Sequence, residues 1–163
     1  MPKLYTPVTM KRIDRPKLLR VVVGLPGSGK TTETLKWVRE EPWGRFRVGL
    51  DPIRESQGYT DVTDAAEGQE AVVDAAREGQ VRWLLDLGVH VAIDTTNLQA
   101  GILSRWQRLA SQHNANLEIV SFTHVPVSEC IRRDAERGAN GGRLVGRSVI
   151  IAMARTANLP VDV

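Results

Sequence analysis

The sequence predicts an α/β protein in which a parallel sheet of about four to five strands is covered by helices on both faces. Short apolar runs rich in valine, leucine and isoleucine alternate with segments whose apolar residues recur at helical spacing. The first apolar run leads directly into a glycine-rich G-x-x-x-x-G-K-T segment, and a helix-compatible sequence follows it. Strands separated by helices imply right-handed crossovers, and parallel pairing follows from them.

The predicted elements in the first half of the chain follow the apolar runs. The first strand covers Leu18–Gly24, and the helix after the glycine-rich segment continues to about Glu41. Phe46–Leu50 forms the second strand, and Pro52 suits the first turn of the helix after it. Apolar spacing across Thr63–Leu87 predicts one or two amphipathic helices.

The second half of the chain continues the same alternation. A buried third strand, Val89–Asp94, ends on a carboxylate. The remaining elements are a helix at Ile102–His113, a strand at Leu117–Phe122, a helix at Val127–Arg137, a glycine-rich loop at 138–144 and a final helix at Val145–Ala157.

The composition predicts one domain with an ordinary core. The chain has 163 residues, 42% hydrophobic and 25% charged. Residues 1–17 carry three prolines and several basic side chains, which predicts an extended basic arm before a domain at 18–163. Met10 is a candidate alternative start, so residues 1–9 need not belong to the native protein.

Charge and cysteine content narrow the partners and the compartment. The formal net charge is +3 and arginine outnumbers lysine, which favours an anionic partner, although a merely basic surface explains the charge equally well. The single cysteine, Cys130, excludes an intramolecular disulfide and a multi-cysteine metal site. A reducing, cytoplasmic location is expected, and the first apolar run is too short to span a membrane. The sequence leaves the oligomeric state open.

The glycine-rich segment matches the phosphate-binding P-loop. Gly24, Gly27 and Gly29 let the backbone curve around a phosphate chain in conformations that are costly for residues with a Cβ. Lys30 reaches the outer phosphates, and the Thr31 hydroxyl is a ligand for Mg²⁺. The predicted nucleotide-binding residues are Gly27, Ser28, Gly29, Lys30, Thr31 and Thr32.

Polar residues follow the second and third strands at the same edge of the predicted sheet, where ligands of such sheets bind. Asp94 is placed to orient Mg²⁺ or its waters, or else to cap the next turn. Thr96 and Asn97 follow as candidate substrate contacts, with turn formation as the alternative. Asp51 is a candidate general base, and Arg54 shares its helix face as a candidate clamp for an acceptor phosphate. A plain surface ion pair is the competing interpretation.

Arginines crowd into the segment 132–147, which is broken by several glycines. A glycine-hinged loop between arginines is what a phosphoryl-transfer lid requires, because the lid excludes water and neutralises the transferring group. Arg137 is the candidate transition-state arginine, and Arg133 is a candidate contact for the nucleotide. Interleaved Asp134 and Glu136 also fit a solvated helix face.

Together these motifs resemble the phage-type polynucleotide 5′-kinases. The motifs that carry the resemblance are GLPGSGKTT, D-x-x-R after the second strand, D-T-T-N after the third and R-x-x-x-R-G before the lid. The likeness runs from about Leu18 to Met153. These P-loop kinases transfer the γ-phosphate of ATP, with Mg²⁺, to the 5′-hydroxyl of DNA or RNA, and some of them serve nucleic-acid repair. No D-x-D-G-T signature occurs, so the resemblance covers a kinase module without the 3′-phosphatase domain of some members.

The resemblance implies a role for each matching residue. Lys30 and Thr31 would bind phosphate and metal, and Asp51 would be the general base. Arg54 would contact the phosphate beside the acceptor hydroxyl, and Arg137 would stabilise the transferring phosphoryl group. Asn97 matches the asparagine of the family at the end of the third strand, and Arg133 matches a lid arginine that contacts the nucleotide. Pro52 departs from the pattern, because family members often carry a polar residue directly after the base.

Two other functions remain open at this stage. The same architecture serves kinases of nucleosides, other small molecules or a modified-base hydroxyl in DNA, because the acceptor pocket is what changes. The segment Glu55–Glu70 is expected to help form that pocket. A non-catalytic nucleotide-binding switch is the third possibility, and the presence of Asp51, Asp94 and Arg137 together argues against it.

Overall fold

The computed structural model describes residues 15–163, which form four strands and six α-helices. Of the predicted arm at 1–17, residues 1–14 lie outside the described residues, and Lys17 begins the first strand. No helix in the described part of the chain is long and apolar enough to cross a membrane. In chain order the elements are β1 (Lys17–Val23), α1 (Lys30–Glu40), β2 (Arg45–Val48), α2 (Leu50–Ser56), a 3₁₀ helix (Val62–Asp64), α3 (Gln69–Asp86), β3 (His90–Asp94), α4 (Ile102–Gln112), β4 (Ala115–Ser121), α5 (Val127–Ala139) and α6 (Arg147–Thr156).

The four strands form one parallel sheet in the order β2-β3-β1-β4. Leu19 of β1 aligns with Val91 of β3 on one side and with Leu117 of β4 on the other. Parallel neighbours need crossover connections, and the helices supply them. The predicted fold class is therefore confirmed, with four strands.

The core lies around the two central strands. Side chains of β1 and β3, such as Val21 and Ile93, are completely buried and pack with Trp106 of α4. A second apolar cluster joins Leu25, just after β1, to Cys130 of α5 and neighbouring residues of α6. The segment that follows β1 is thus anchored to the helix pair that carries the predicted lid.

Among the predicted boundaries that differ from the structure, two differ for clear local reasons. The second strand ends at Val48 because α2 already begins at Leu50, which puts Asp51 in the first turn of a helix. Pro52 is tolerated there because a first-turn N–H has no partner within the helix. The last helix begins at Arg147, two residues later than predicted.

The late start of α6 follows from a buried carboxylate on α5. Asp134 accepts the backbone N–H groups of Val145 at 3.1 Å and Gly146 at 2.8 Å, and it also pairs with the Arg137 guanidinium. Its side chain is 1% exposed. Asp134 therefore sets the path of the loop between α5 and α6.

Asp134→Asn should destabilise the fold, because Oδ1 of Asp134 accepts from Arg137 while Oδ2 accepts from Val145 and Gly146, and an amide can accept at only one of these two positions. Hydrogen bonds to charged groups contribute about 2 kcal/mol each, so we expect Tm to fall by roughly 4–8 °C. Thermal unfolding followed by circular dichroism measures the change.

Glu136→Gln is the matched control, since Glu136 is an exposed carboxylate on the same helix whose side chain pairs with Arg132. This control should unfold within about 2 °C of the wild type. Equal Tm values for the two variants would contradict the role given to Asp134.

Candidate active site

A cavity of about 960 Å³ opens at the carboxyl edge of the sheet. It is bounded by the P-loop after β1, the start of α2 after β2 and the end of β3, with residues of α5 and the following loop on the remaining side. All predicted site residues except Asn97 line it: Gly27, Ser28, Gly29, Lys30, Thr31, Thr32, Asp51, Arg54, Asp94, Thr96, Arg133 and Arg137.

The P-loop is pressed against α5 at a point where only glycine fits. Gly27 has φ +81°, and a Cβ there would lie 2.2 Å from the carbonyl oxygen of Cys130. Gly29 precedes α1 in the left-handed conformation, and no side chain caps the helix. The first-turn N–H groups of α1 thus have no side-chain partner, and such groups bind anions well.

Lys30 is held inside the loop that it serves. Its Nζ donates to the carbonyl oxygen of Leu25 at 2.6 Å and lies 3.4 Å from Ser28 Oγ. Burial lowers the pKa of Lys30 to about 8, against the opposing attraction of Asp94. Its positive charge is therefore expensive until an anion enters the loop.

Asp94 ends β3 with its carboxylate almost completely buried. Its Oδ2 accepts a hydrogen bond from Nε of Arg47, on the neighbouring strand β2, at 2.6 Å. This pair holds one oxygen of the carboxylate in place, and both residues line the cavity. If Asp94 capped the next turn, its carboxylate would accept a hydrogen bond from a backbone N–H of that turn. Among residues 15–163 no such hydrogen bond is present.

Thr31 and Asp94 fit a magnesium site of the kind that phosphates complete. Both supply hard oxygen donors at the cavity, and the Thr31 side chain is accessible. Mg²⁺ in kinases usually keeps several waters and binds one or two protein oxygens plus substrate phosphates. The described residues contain no group of three or more His, Cys, Asp or Glu side chains that could hold a metal ion.

Asp51 and Arg54 form the expected pair, but Arg54 has a second partner. Nη1 of Arg54 donates to Asp51 Oδ1 at 2.9 Å, while Nε and Nη2 donate to the two carboxylate oxygens of Glu70 at 2.8 and 2.7 Å. Tyr59 also donates to Glu70, at 2.6 Å. Hydrogen bonds from Arg54 lower the pKa of Glu70 to about 2, and those from Glu70 raise the pKa of Arg54. The buried Arg54 side chain thus holds the Asp51 carboxylate in position.

The arginines of α5 and the following loop face the same cavity. Arg133 pairs with Glu129 at 2.7 Å, and Arg137 pairs with Asp134 and donates from Nε to the carbonyl oxygen of Arg143 at 2.7 Å. Both guanidinium-bearing side chains remain 43% exposed. Their backbones are held in α5, while their guanidinium groups remain accessible from the cavity.

Asn97 is the exception among the predicted site residues, and the expectation that it contacts substrate needs correction. Its side-chain amide donates to the carbonyl oxygen of Val22 at 2.8 Å and accepts from Nε1 of Trp106 at 3.1 Å. It is 5% exposed and does not line the cavity. Asn97 therefore joins β1 to α4 from a left-handed backbone position, φ +49°.

Three residues that the sequence did not predict belong to the site. Arg47 and Arg143 line the cavity, and Glu70 supports Arg54. The alternation of RFRV in β2 puts Arg45 and Arg47 on one face, which is a usable signal for Arg47. Glu70 lies at the end of the segment expected to form the acceptor pocket, but nothing local marks it as the partner of Arg54. Arg143 could not be separated from its arginine neighbours.

Comparisons with known proteins agree with this architecture. The family model described as AAA domain matches residues 19–160. One chain of the Pnkp1/Rnl/Hen1 RNA repair complex is 25% identical with a TM-score of 0.78, over 90% of this chain and 45% of that one. This chain therefore spans less than half the length of that relative.

Two kinases of small molecules share the fold at lower identity. The Mycobacterium tuberculosis APS kinase CysC, in complex with AMPPNP and APS, is 18% identical with a TM-score of 0.57, over 79% of this chain and 75% of that one. A gluconokinase from Sinorhizobium meliloti is 17% identical with a TM-score of 0.54, over 86% and 74%. The family match and the likeness to the RNA repair chain confirm the P-loop kinase fold and the predicted resemblance to polynucleotide kinases.

Nucleotide binding should depend on pH through Lys30. The ammonium form binds phosphate, so an anion in the loop raises the pKa of Lys30 from about 8 and draws a proton onto the chain. We expect ATP affinity to fall by up to about tenfold per pH unit above pH 8. Calorimetry at pH 7, 8 and 9, in buffers of different ionisation enthalpy, measures both the affinity and the proton uptake.

The phosphates of the nucleotide do not account for a change in affinity between pH 8 and pH 9, because phosphate groups lose their last proton near pH 6. Equal affinities at pH 7 and 9 with no proton uptake would rule out Lys30 as the titrating phosphate ligand.

Proposed function

Since the chain belongs to the AAA domain family, we propose that it is an ATP-dependent kinase that phosphorylates the 5′-hydroxyl end of a polynucleotide. The observation that carries the proposal is one cavity with Lys30 at the donor end and Asp51 at the acceptor end. The likeness to a chain of an RNA repair complex supports nucleic acid as the acceptor. We assign this activity to a kinase domain at 18–163.

The donor would be ATP with Mg²⁺. Backbone N–H groups from Gly27 to Thr32 and the Lys30 ammonium would hold the phosphates, and Arg133 would contact the nucleotide. Thr31 and Asp94 would hold the metal, which would neutralise part of the phosphate charge during transfer. These residues orient the terminal phosphoryl group toward the acceptor side of the cavity.

The acceptor would be activated by Asp51. Its carboxylate takes the proton of the attacking hydroxyl as the oxygen bonds to the γ-phosphorus and the bond to the bridging oxygen of ADP breaks. Arg54 keeps Asp51 in place, and Arg137 supplies positive charge to the equatorial oxygens during transfer. Thr96 lines the same cavity and would contact the substrate.

A small-molecule kinase is the second candidate, and one observation favours it. The acceptor end carries the carboxylates of Asp51 and Glu70 beside the guanidinium groups of Arg54 and Arg143, so its formal charges balance. A polyanion gains less from such a balanced cluster than from an open basic groove. The APS kinase and the gluconokinase share the fold, which is compatible with this alternative.

The deciding experiment is transfer of labelled γ-phosphate from ATP with Mg²⁺ to three acceptors offered separately: a 5′-hydroxyl oligonucleotide, a nucleoside and a nucleoside 3′-monophosphate. We expect label on the oligonucleotide. Label on none of the three would reject the proposed function, and label on the nucleoside alone would move the assignment to a small-molecule kinase.

Asp51→Asn should lower kcat on the oligonucleotide by roughly 10²–10⁴-fold, because the amide cannot take the proton. ATP affinity should stay unchanged, since Asp51 lies at the acceptor end. Asp64→Asn is the control, an exposed carboxylate of the 3₁₀ helix that does not line the cavity. If both variants turn over like the wild type, Asp51 has no part in proton transfer.

A further inference from the structure

Arg47 places a positive charge directly on the candidate metal ligand. It aligns with Ala92 in the pairing of β2 with β3, so its side chain lies on the same face of the sheet as Asp94, two residues after Ala92. There its Nε donates to Oδ2 of Asp94 at 2.6 Å. Within residues 15–163, Oδ1 of Asp94 has no hydrogen-bond partner, so this oxygen is the one left for a metal ion or its waters.

The Arg47 guanidinium is held in this position. Its side chain is 24% exposed and that of Asp94 is 2% exposed, so little water screens the attraction between the two charges. Nη2 of Arg47 lies close to the backbone of Gly49, where a Cβ would come within 3.2 Å of it. The guanidinium charge is therefore a permanent neighbour of Asp94.

The charges that line the cavity oppose a free divalent cation. Among residues 15–163, three carboxylates line it, those of Glu33, Asp51 and Asp94, and each pairs with at least one arginine. The positively charged residues that line it are more numerous: Lys30, Lys36, Arg47, Arg54, Arg133, Arg137 and Arg143. Like charges repel most strongly at short distance, and Arg47 is the cation bonded to the metal ligand itself.

A nucleoside triphosphate reverses this balance, because its phosphates bring several negative charges to the P-loop. A divalent cation in complex with these phosphates keeps a net negative charge, so Arg47 attracts the complex although it repels the bare ion. Such a complex needs only one or two protein oxygens for its Mg²⁺. Thr31 and the open oxygen of Asp94 are sufficient for that number.

We propose that Arg47 makes metal binding at this site conditional on the nucleotide: its guanidinium occupies one oxygen of Asp94 and repels a bare divalent cation, but attracts the same cation in complex with phosphates. Arg47 is in this role a positioning residue for Asp94 and determines in which form the metal enters. The inference rests on the proposed function in its donor half, ATP with Mg²⁺, and is independent of the acceptor.

The experiment measures the binding of Mn²⁺, a paramagnetic probe for Mg²⁺, to the whole chain by electron paramagnetic resonance. Without nucleotide, Arg47→Gln should bind Mn²⁺ roughly tenfold more tightly than the wild type, because the neutral amide no longer repels the ion beside Asp94. Arg47→Gln combined with Asp94→Asn should lose this gain. The Mn²⁺ complex of a non-hydrolysable ATP analogue should bind no more tightly to Arg47→Gln than to the wild type, since Arg47 attracts that complex.

Two further variants test the charge of Arg47 apart from its packing. Arg47→Lys keeps the charge and loses the planar fork, so without nucleotide it should bind Mn²⁺ within about twofold of the wild type. Arg45→Gln is the matched control and should do the same. Arg45 lies on the same face of β2 with its side chain 23% exposed, pairs with Glu40 and does not line the cavity.

The proposal is overturned if the wild type and Arg47→Gln bind Mn²⁺ equally without nucleotide. It is also overturned if Arg47→Lys gains Mn²⁺ affinity as Arg47→Gln does, or if Arg47→Gln gains equal affinity for the bare ion and for the complex.

Phosphate transfer is a separate measurement and distinguishes this proposal from the proposed function. If no acceptor is phosphorylated but Mn²⁺ binding shows the expected contrast, the proposed function fails in its acceptor half and the role of Arg47 stands. If the oligonucleotide is phosphorylated and the contrast is absent, the role of Arg47 fails and the proposed function stands.

Discussion

The pairing of β1 with β3 is the constraint on which the site depends. Val22 aligns with Asp94 in the register of the two strands, and the N–H of Gly24 donates to the carbonyl oxygen of Thr96 at 3.0 Å. The start of the P-loop and the candidate metal ligand are therefore held side by side by backbone hydrogen bonds. Asn97 reinforces this junction, because its amide reaches Val22 from the segment after β3. The donor end of the cavity is in this way an outcome of the sheet itself.

A second constraint links the donor end to the lid. Gly27 lies so close to the Cys130 carbonyl that any side chain would force the P-loop away from α5. The apolar cluster of Leu25, Cys130 and Ile150 also packs the P-loop segment against α5 and α6. Arg133 and Arg137 rise from the helix that makes this contact, so their distance from the phosphate loop is set by packing.

The sequence was sufficient for the fold and for most of the cavity because both depend on local patterns. Apolar runs, the P-loop glycines and the carboxylates at strand ends are all legible within a few residues, and the sheet brings them to one edge. The contacts that could not be predicted are long-range. Glu70 and Arg54 are 16 positions apart, Arg143 and Asp51 92 apart, and no periodicity marks either pair. Asn97 was misread for the same reason, since its partner Trp106 looked like ordinary helix packing.

Each arginine of the cavity has a carboxylate partner within the chain. Arg47 pairs with Asp94, Arg133 with Glu129 and Arg137 with Asp134, and the Asp51 and Glu70 carboxylates hold the acceptor end. This pairing explains how an arginine-rich site exists in a chain whose formal charge is only +3. It also orients the guanidinium groups before any ligand enters, so little reorganisation is needed when charge develops on a phosphoryl group. Lys30 differs, because burial rather than a salt bridge dominates its environment. A bound phosphate would therefore stabilise the charge of Lys30 more than that of any paired arginine.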